Sequence, residues 1–339
     1  MKTSRVSSLA RRIPVGALVL AAAALLTAPP AAGATRGALS LVPADATTVG
    51  FVRVADMRSN PFQLKVLDET DRFTADGDAG RFMREAGIDP RQDLDAVVAT
   101  MTALEGGKGR VLVLFEGRFD SGKLSSALAH RGAVAASTPG GDYYRLKESE
   151  NHSDSGHEHE PGAVAFIDSH LVIAGNEPAV VAALADRKTG GTGFASGRGL
   201  GRELHRIDPA ATAWILADVE KCRKLGADRH ADQGPAAGVL SALKNVSLVA
   251  VQASVDNDAL ELQATGLCAD AETRSLIEDA LRGLTAAWRM AAQEKSPELV
   301  SAIRKFEIRS NDEGVTISGK LPGELIRSLT AEARRHSGN

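Results

Sequence analysis

VSLVAVQASVDNDALELQATG, residues 246–266, decides how this chain must be read. It divides into two strand-like runs, Val246 to Val255 and Ala259 to Gly266, across Asp256-Asn257-Asp258. Asp and Asn tolerate turn backbone because their side chains bond locally, so the three residues predict a hairpin. A second stretch, Val97 to Gly117, has the same 21-residue span and turns at Gly106-Gly107-Lys108-Gly109. Two hairpins of equal length, far apart in the chain, suggest a plan used twice.

Working outward, each hairpin sits in a similar order of elements. A strand, Val49 to Val54, precedes the first, and Ala211 to Val219 precedes the second. Helical signals follow each. Asp120 or Ser121 can cap a helix to about His130, and Asp270 can cap a long one. In that long helix Leu276, Leu281, Leu284 and Trp288 keep a 3.6-residue rhythm on one side. Gly87 suits a helix C-cap with Pro90 beyond it, and Ser296-Pro297 opens a further helix. A polar helical region spans about Pro61 to Ala86, and Tyr143 to Lys147 reads as a strand. Closing hairpins follow, Ala163–Asp168 with Leu171–Gly175 and Phe306–Ser310 with Val315–Gly319, each leading into a helix at Pro178 or Pro322. Short phrases also match, Val54-Ala55-Asp56-Met57 with Leu216-Ala217-Asp218-Val219 and Ala174–Pro178 with Ser318–Pro322. The expected fold is α+β: two similar repeats, each an antiparallel sheet of hairpins with helices packed on one face. The expected boundaries are 1–34 for an export segment, 35–189 for the first repeat, 190–205 for a Gly-rich linker with a short helix, and 206–339 for the second repeat.

The phrases Leu41-Val42-Pro43-Ala44-Asp45-Ala46 and Gly87-Ile88-Asp89-Pro90, with the terminal hairpin and helix, resemble a group of uncharacterised exported bacterial proteins. Those proteins open their mature region with a similar Leu-x-Pro-Ala-Asp phrase before a first strand. The resemblance covers most of the mature chain and implies no activity and no site residues.

Residues 1–34 give an address. Lys2, Arg5, Arg11 and Arg12 form a basic start, Ile13 to Ala28 is an apolar run of 16 residues, and Ala32-Gly33-Ala34 is a small-residue cleavage sequence. This is the layout of a secretory signal peptide, and a spanning helix needs about 20 apolar residues. The reading predicts a periplasmic or extracellular protein with no integral membrane segment after cleavage. Arg11-Arg12 lacks the context of a twin-arginine signal, and no Cys stands near the cleavage sequence to carry a lipid.

Cleavage would leave 36 basic and 43 acidic residues in 305, a formal net charge of −7. An acidic chain is a poor match for nucleic acid or an anionic membrane surface. Aromatic residues are 4% of the chain, which gives little for base or sugar stacking. Cys222 and Cys268, in an oxidising compartment, would close a loop of about 45 residues for about 3–4 kcal/mol in the chain-entropy model. The other reading is two buried thiols, since Cys268 shares its alternation with Leu260 and Leu262.

The local feature richest in chemistry is ESENHSDSGHEHE, residues 148–160. His152, His157 and His159 stand among Asp154, Glu158 and further acids, a donor set suited to Zn²⁺, Cu²⁺ or Ni²⁺. The bland reading is a solvated loop that would have to be ordered on binding. No nucleophile elbow, H-E-x-x-H helix or C-x-x-C pair occurs. The Gly-rich stretch 190–201 and Gly117–Lys123 both lack phosphate-loop spacing. His130, His170 and His205 stand alone, and Asp56 and Asp218 read as strand-end caps before paired catalytic carboxylates. The first expectation is therefore a non-enzymatic envelope protein that binds an unknown protein partner or ligand and needs no cofactor. The alternatives are a transition-metal-binding or buffering protein using the His/acid loop and an unrecognised hydrolase with a dispersed site.

Overall fold

A computed structural model of the protein describes residues 36–58, 78–104, 109–147, 161–188, 193–224, 245–256, 258–293 and 296–328. The export segment and the His/acid tract, with His152, Asp154, His157, Glu158 and His159, lie outside these residues. So does the greater part of the helical region expected from Pro61.

The strands are β1 (Thr48–Val52), β2 (Leu94–Ala103), β3 (Gly109–Gly117), β4 (Val134–Thr138), β5 (Gly141–Arg145), β6 (Gly162–Phe166), β7 (Leu171–Asn176), β8 (Ala213–Asp218), β9 (Leu248–Asp256), β10 (Ala259–Leu267), β11 (Glu307–Ser310) and β12 (Gly314–Pro322). They form one sheet in the order β11-β12-β10-β9-β8-β1-β2-β3-β7-β6-β5-β4, with every pair antiparallel. This corrects the expectation of two sheets. The cause is the pairing of β1 with β8, Thr48 to Ala217 through Val52 to Ala213, which joins two would-be edges into a continuous ladder. Pairing satisfies backbone groups that an open edge would leave exposed. The hairpin that opened the reading is β9–β10, in register from Asp256–Ala259 to Leu248–Leu267.

The helices are α1 (Arg36–Ser40), α2 (Val54–Met57), α3 (Asp78–Glu85), α4 (Pro90–Asp93), α5 (Ser121–His130), α6 (Glu177–Lys188), α7 (Val219–Lys224), α8 (Ala271–Gln293) and α9 (Pro297–Ile303), with further helical residues at 323–328. Their caps follow the sequence reading. Asp120 accepts from the N–H groups of Gly122 and Lys123, Asp270 from Thr273, and Ser296 from Leu299. Gly87 ends α3 with φ of 66°, a conformation that favours glycine.

One face of the sheet carries the main core. Val49, Val98, Leu112, Leu114, Ile173 and Leu216 are buried there beneath α1, α6 and a pair of 3₁₀ turns, Phe194–Ser196 and Gly199–Arg206. Phe194 stacks on Trp214 at 6.0 Å, and Trp214 on Phe51 at 5.4 Å. Phe194 and Leu200, within the stretch 190–205 expected to be a Gly-rich linker with a short helix, are therefore part of the core. The glycines of that stretch let the backbone run against the carbonyls of Val42 and Ala44, places where a Cβ at Gly193 or Gly199 would collide. The opposite face is covered in two patches. α3 and α5 lie over β3, β6 and β7, where Leu124, Leu128, Val164 and Val172 are buried with Phe82, Phe115 and Phe166. α8 and α9 lie over β8–β12, where Val246, Ile277 and Val315 are buried. Among the described residues, no helix is long and apolar enough to cross a membrane.

Candidate functional site

The second of these patches is not filled. Between the C-terminal half of α8, α9 and the sheet lies a half-open cavity of about 640 Å³. Its floor is Ala213, Val251, Ala253, Leu262, Ala264, Ile317 and Leu321, and its walls are Trp288, Ala291, Ala292, Leu299, Ile303 and Phe306. The exposed surface inside is almost wholly apolar.

Local sequence explains the space. Strand alternation brings Ala253 and Ala264 to the same surface as Leu262, so the floor carries methyl groups where larger side chains would reach α8. The helix presents Ala291 and Ala292 in its last turns, again small. Phe306 lies against Gly319, whose missing side chain makes room for the ring. α8 also turns differently from the rhythm read in its sequence. Ile277 is buried and Leu281 packs beside it, whereas Leu276 is 57% and Trp288 49% exposed. The helix is thus anchored by its N-terminal half and stands off the sheet towards its C-terminal end.

The other ionisable groups perform structural work. Arg53 donates to Asp56 at 3.1 Å and to the carbonyl of Pro209 at 3.2 Å, and its guanidinium lies 5.7 Å from the centre of the Phe51 ring. Asp218 accepts from the N–H of Lys221 and caps α7. Because β1 and β8 are antiparallel, Asp56 and Asp218 follow opposite ends of the paired strands and cannot form one acid–base site. His170 Nδ1 lies 3.0 Å from the carbonyl of Gly117, and His205 Nδ1 2.7 Å from that of Arg202. Glu116 accepts from the N–H of Ala38 at 2.5 Å, while its buried Oε2 has no partner among the described residues. Burial raises its carboxyl above the ordinary range, and Asp95 adds to this, against the lowering effect of the Ala38 N–H. Glu177 is held low by Arg145, with a smaller contribution from the Tyr143 hydroxyl, which donates to it at 2.5 Å.

Cys222 and Cys268 are free thiols, so the bridge weighed from the sequence is not formed. Cys222 follows β8, with its Sγ 3.6 Å from Thr48 Oγ1, and Cys268 follows β10 and packs on Val246, Ile277 and Val315. Burial pushes the Cys268 thiol up. Among the described residues, no group of three or more His, Cys, Asp or Glu side chains is placed to hold a metal ion.

No protein-family model matches the chain, and no curated protein matches it in sequence. Its likeness is to solved structures. TP0453 in crystal form III superposes with a TM-score of 0.50 and 11% identity, covering 87% of this chain and 97% of that one. TP0453 in crystal form I gives a TM-score of 0.44 and 10% identity, covering 87% and 96%. At such identity the likeness concerns fold alone, and the class it supports is an α+β protein with a large antiparallel sheet and several helices.

The sequence reading did not find the cavity. Its wall and floor come from six separate elements, and the only local signal is an excess of Ala at inward positions of β9, β10 and the end of α8.

Proposed function

We propose that this chain is an exported, non-enzymatic envelope protein that binds a small apolar molecule, or the apolar part of an amphiphile, beneath α8 and α9. The cavity carries the reading. Ligand sites are commonly concave, apolar and about 300–1,000 Å³. A guest would recover the dispersion contacts that the alanine floor leaves unmade. Export rests on residues 1–34 and their signal-peptide layout.

The two-repeat reading, 35–189 and 206–339, belongs to the same proposal. Its support is spatial order: outward from the β1–β8 seam the strands run β1-β2-β3-β7-β6 and then the additional β5-β4 on one side, and β8-β9-β10-β12-β11 on the other. Metal binding by His152, His157 and His159 is a second proposal, and it rests on the residue types of 148–160 alone.

Titration with the neutral fluorophore N-phenyl-1-naphthylamine tests the ligand reading. Wild type should bind it saturably, with a change in tryptophan emission, and Ala264→Leu should weaken binding while melting normally. Equal binding by the two proteins, or none by wild type, would remove the proposal.

A further inference from the structure

Strand alternation on β3 sends Leu112 and Leu114 into the main core, and it sends Glu116 the same way. A carboxylate thus stands where the pattern calls for an apolar side chain, and the residue is 6% exposed. Its Oε1 accepts from the N–H of Ala38 in α1, and its buried Oε2 has no partner among the described residues. The neighbouring acid, Asp95, is itself paired with Arg58 at 2.8 Å. Burying a carboxylate without a cation costs more than burying an apolar side chain of similar size, so this position calls for a positive charge. α1 brings the chain close to it. A Cβ at Gly37 would stand 2.9 Å from Oε1, and Ala38, Leu41 and Val42 anchor the segment in the core.

The described residues begin at Arg36, one residue beyond the Ala34–Thr35 bond at which a signal peptidase would cut the export segment. Hydrolysis adds water across that bond. Ala34 leaves as a carboxylate, and the nitrogen of Thr35 becomes an amine that is mostly protonated at neutral pH, since an α-amino group titrates at about 7.7–8.0. We propose that Glu116 receives the α-ammonium which export processing creates at Thr35, with Oε2 accepting from it. The inference rests on the export reading of residues 1–34. Thr35 stands three residues before Ala38, a distance of about 4.5 Å at the helical rise of 1.5 Å per residue. The unbonded N–H groups at the start of a helix point the same way, so the carboxylate that holds the Ala38 N–H is within reach of a nitrogen at Thr35. While the leader is attached, that nitrogen is a neutral amide and Glu116 keeps an uncompensated carboxyl. Cutting supplies the missing charge, and the processed chain is more stable than its precursor.

Chains beginning at Thr35 and at Gly33, freed from a fusion partner without added residues, test this with Glu116 and with Glu116→Gln. The longer chain keeps an amide at Thr35 and carries its amine roughly 7 Å further along the chain. In denaturant unfolding at pH 7, the Thr35 chain should have an unfolding equilibrium constant at least tenfold below that of the Gly33 chain. In Glu116→Gln the two lengths should agree within twofold. Labelling of the terminal amine with phenyl isothiocyanate, read by mass on the N-terminal peptide, needs no variant at Glu116. The Thr35 amine should react at least tenfold more slowly in the folded chain than in urea, and the Gly33 amine at similar rates in both. Equal stability of the two lengths, a length effect that survives in Glu116→Gln, or a Thr35 amine that labels freely in the folded chain would overturn the proposal. The intact mass of the chain recovered from an exporting bacterial host tests the export reading separately. A first residue of Thr35 supports both, a different cut overturns the Glu116 proposal alone, and an uncut chain removes the export reading with it.

Discussion

The covering patch over β3, β6 and β7 and the one over β8–β12 lie on the same face of one sheet, yet they are packed differently. The first is filled by Phe82, Phe115, Phe119 and Phe166, with Leu124 and Leu128 driven down from α5. The second places Ala213, Ala253 and Ala264 beneath Ala291 and Ala292, and about 640 Å³ is left between them. Both use helices on an antiparallel sheet; small inward side chains and the stand-off of α8 separate a filled interface from a half-open chamber. Where this fold leaves open space is thus set by the size of inward residues, with little help from charged groups.

The largest effect that tests the contrast is expected in the filled patch. Leu124→Ala removes a side chain 2% exposed and should cost about 2–5 kcal/mol in denaturant unfolding. A cost below about 1 kcal/mol would mean that this patch is loose as well. Enlarging side chains separates the patches more sharply. Ala127→Leu, in α5, should overpack and cost about 1–3 kcal/mol, whereas Ala264→Leu should grow into free space and cost less than about 1 kcal/mol or stabilise. Thermal melts of the two variants check this, and equal losses would deny the second patch its cavity.

These differences bear on what could be read beforehand. Caps and turns were legible because their causes are local: Asp120, Asp270, Ser296 and the Asp256-Asn257-Asp258 turn each act within four residues. The seam was not, because the pairing of Thr48 with Ala217 joins residues far apart in sequence, and no local pattern distinguishes two sheets from one. β4 was missed because its half-buried positions, Ala136 and Thr138, carry no large apolar side chain to mark an alternation. Phe194 was hidden in a stretch whose glycines look like a tether but permit close backbone packing.

A smaller effect concerns pH in the filled half. The Glu116 carboxyl is raised on folding, so the folded chain holds its proton more tightly than the unfolded one. That contribution is complete below the unfolded value of about 4.3 and is lost as pH rises through the folded value. Glu116→Gln keeps an acceptor for the Ala38 N–H and has no proton to lose. Wild-type stability should therefore decline relative to the variant as pH rises from about 4 towards neutrality, in unfolding curves measured across that range. Parallel curves would show that the burial of Glu116 is compensated in solution.

The smallest effect on stability is expected from the His/acid tract, which has no counterpart in the second half of the sequence. Replacing His152, His157 and His159 by Ala should leave melting unchanged. The same change should abolish calorimetric binding of Zn²⁺, Cu²⁺ or Ni²⁺ if the tract is a metal site. Equal metal affinity in the two proteins would remove that reading.

The chamber itself can be examined directly by pressurising crystals of the protein with xenon, which binds at apolar cavities. The account predicts xenon density among Ala253, Ala264, Ile303 and Ile317, with α8 and α9 in place above it. A closed interface, with Trp288 and Phe306 packed onto Ala264 and no xenon between helix and sheet, would contradict it.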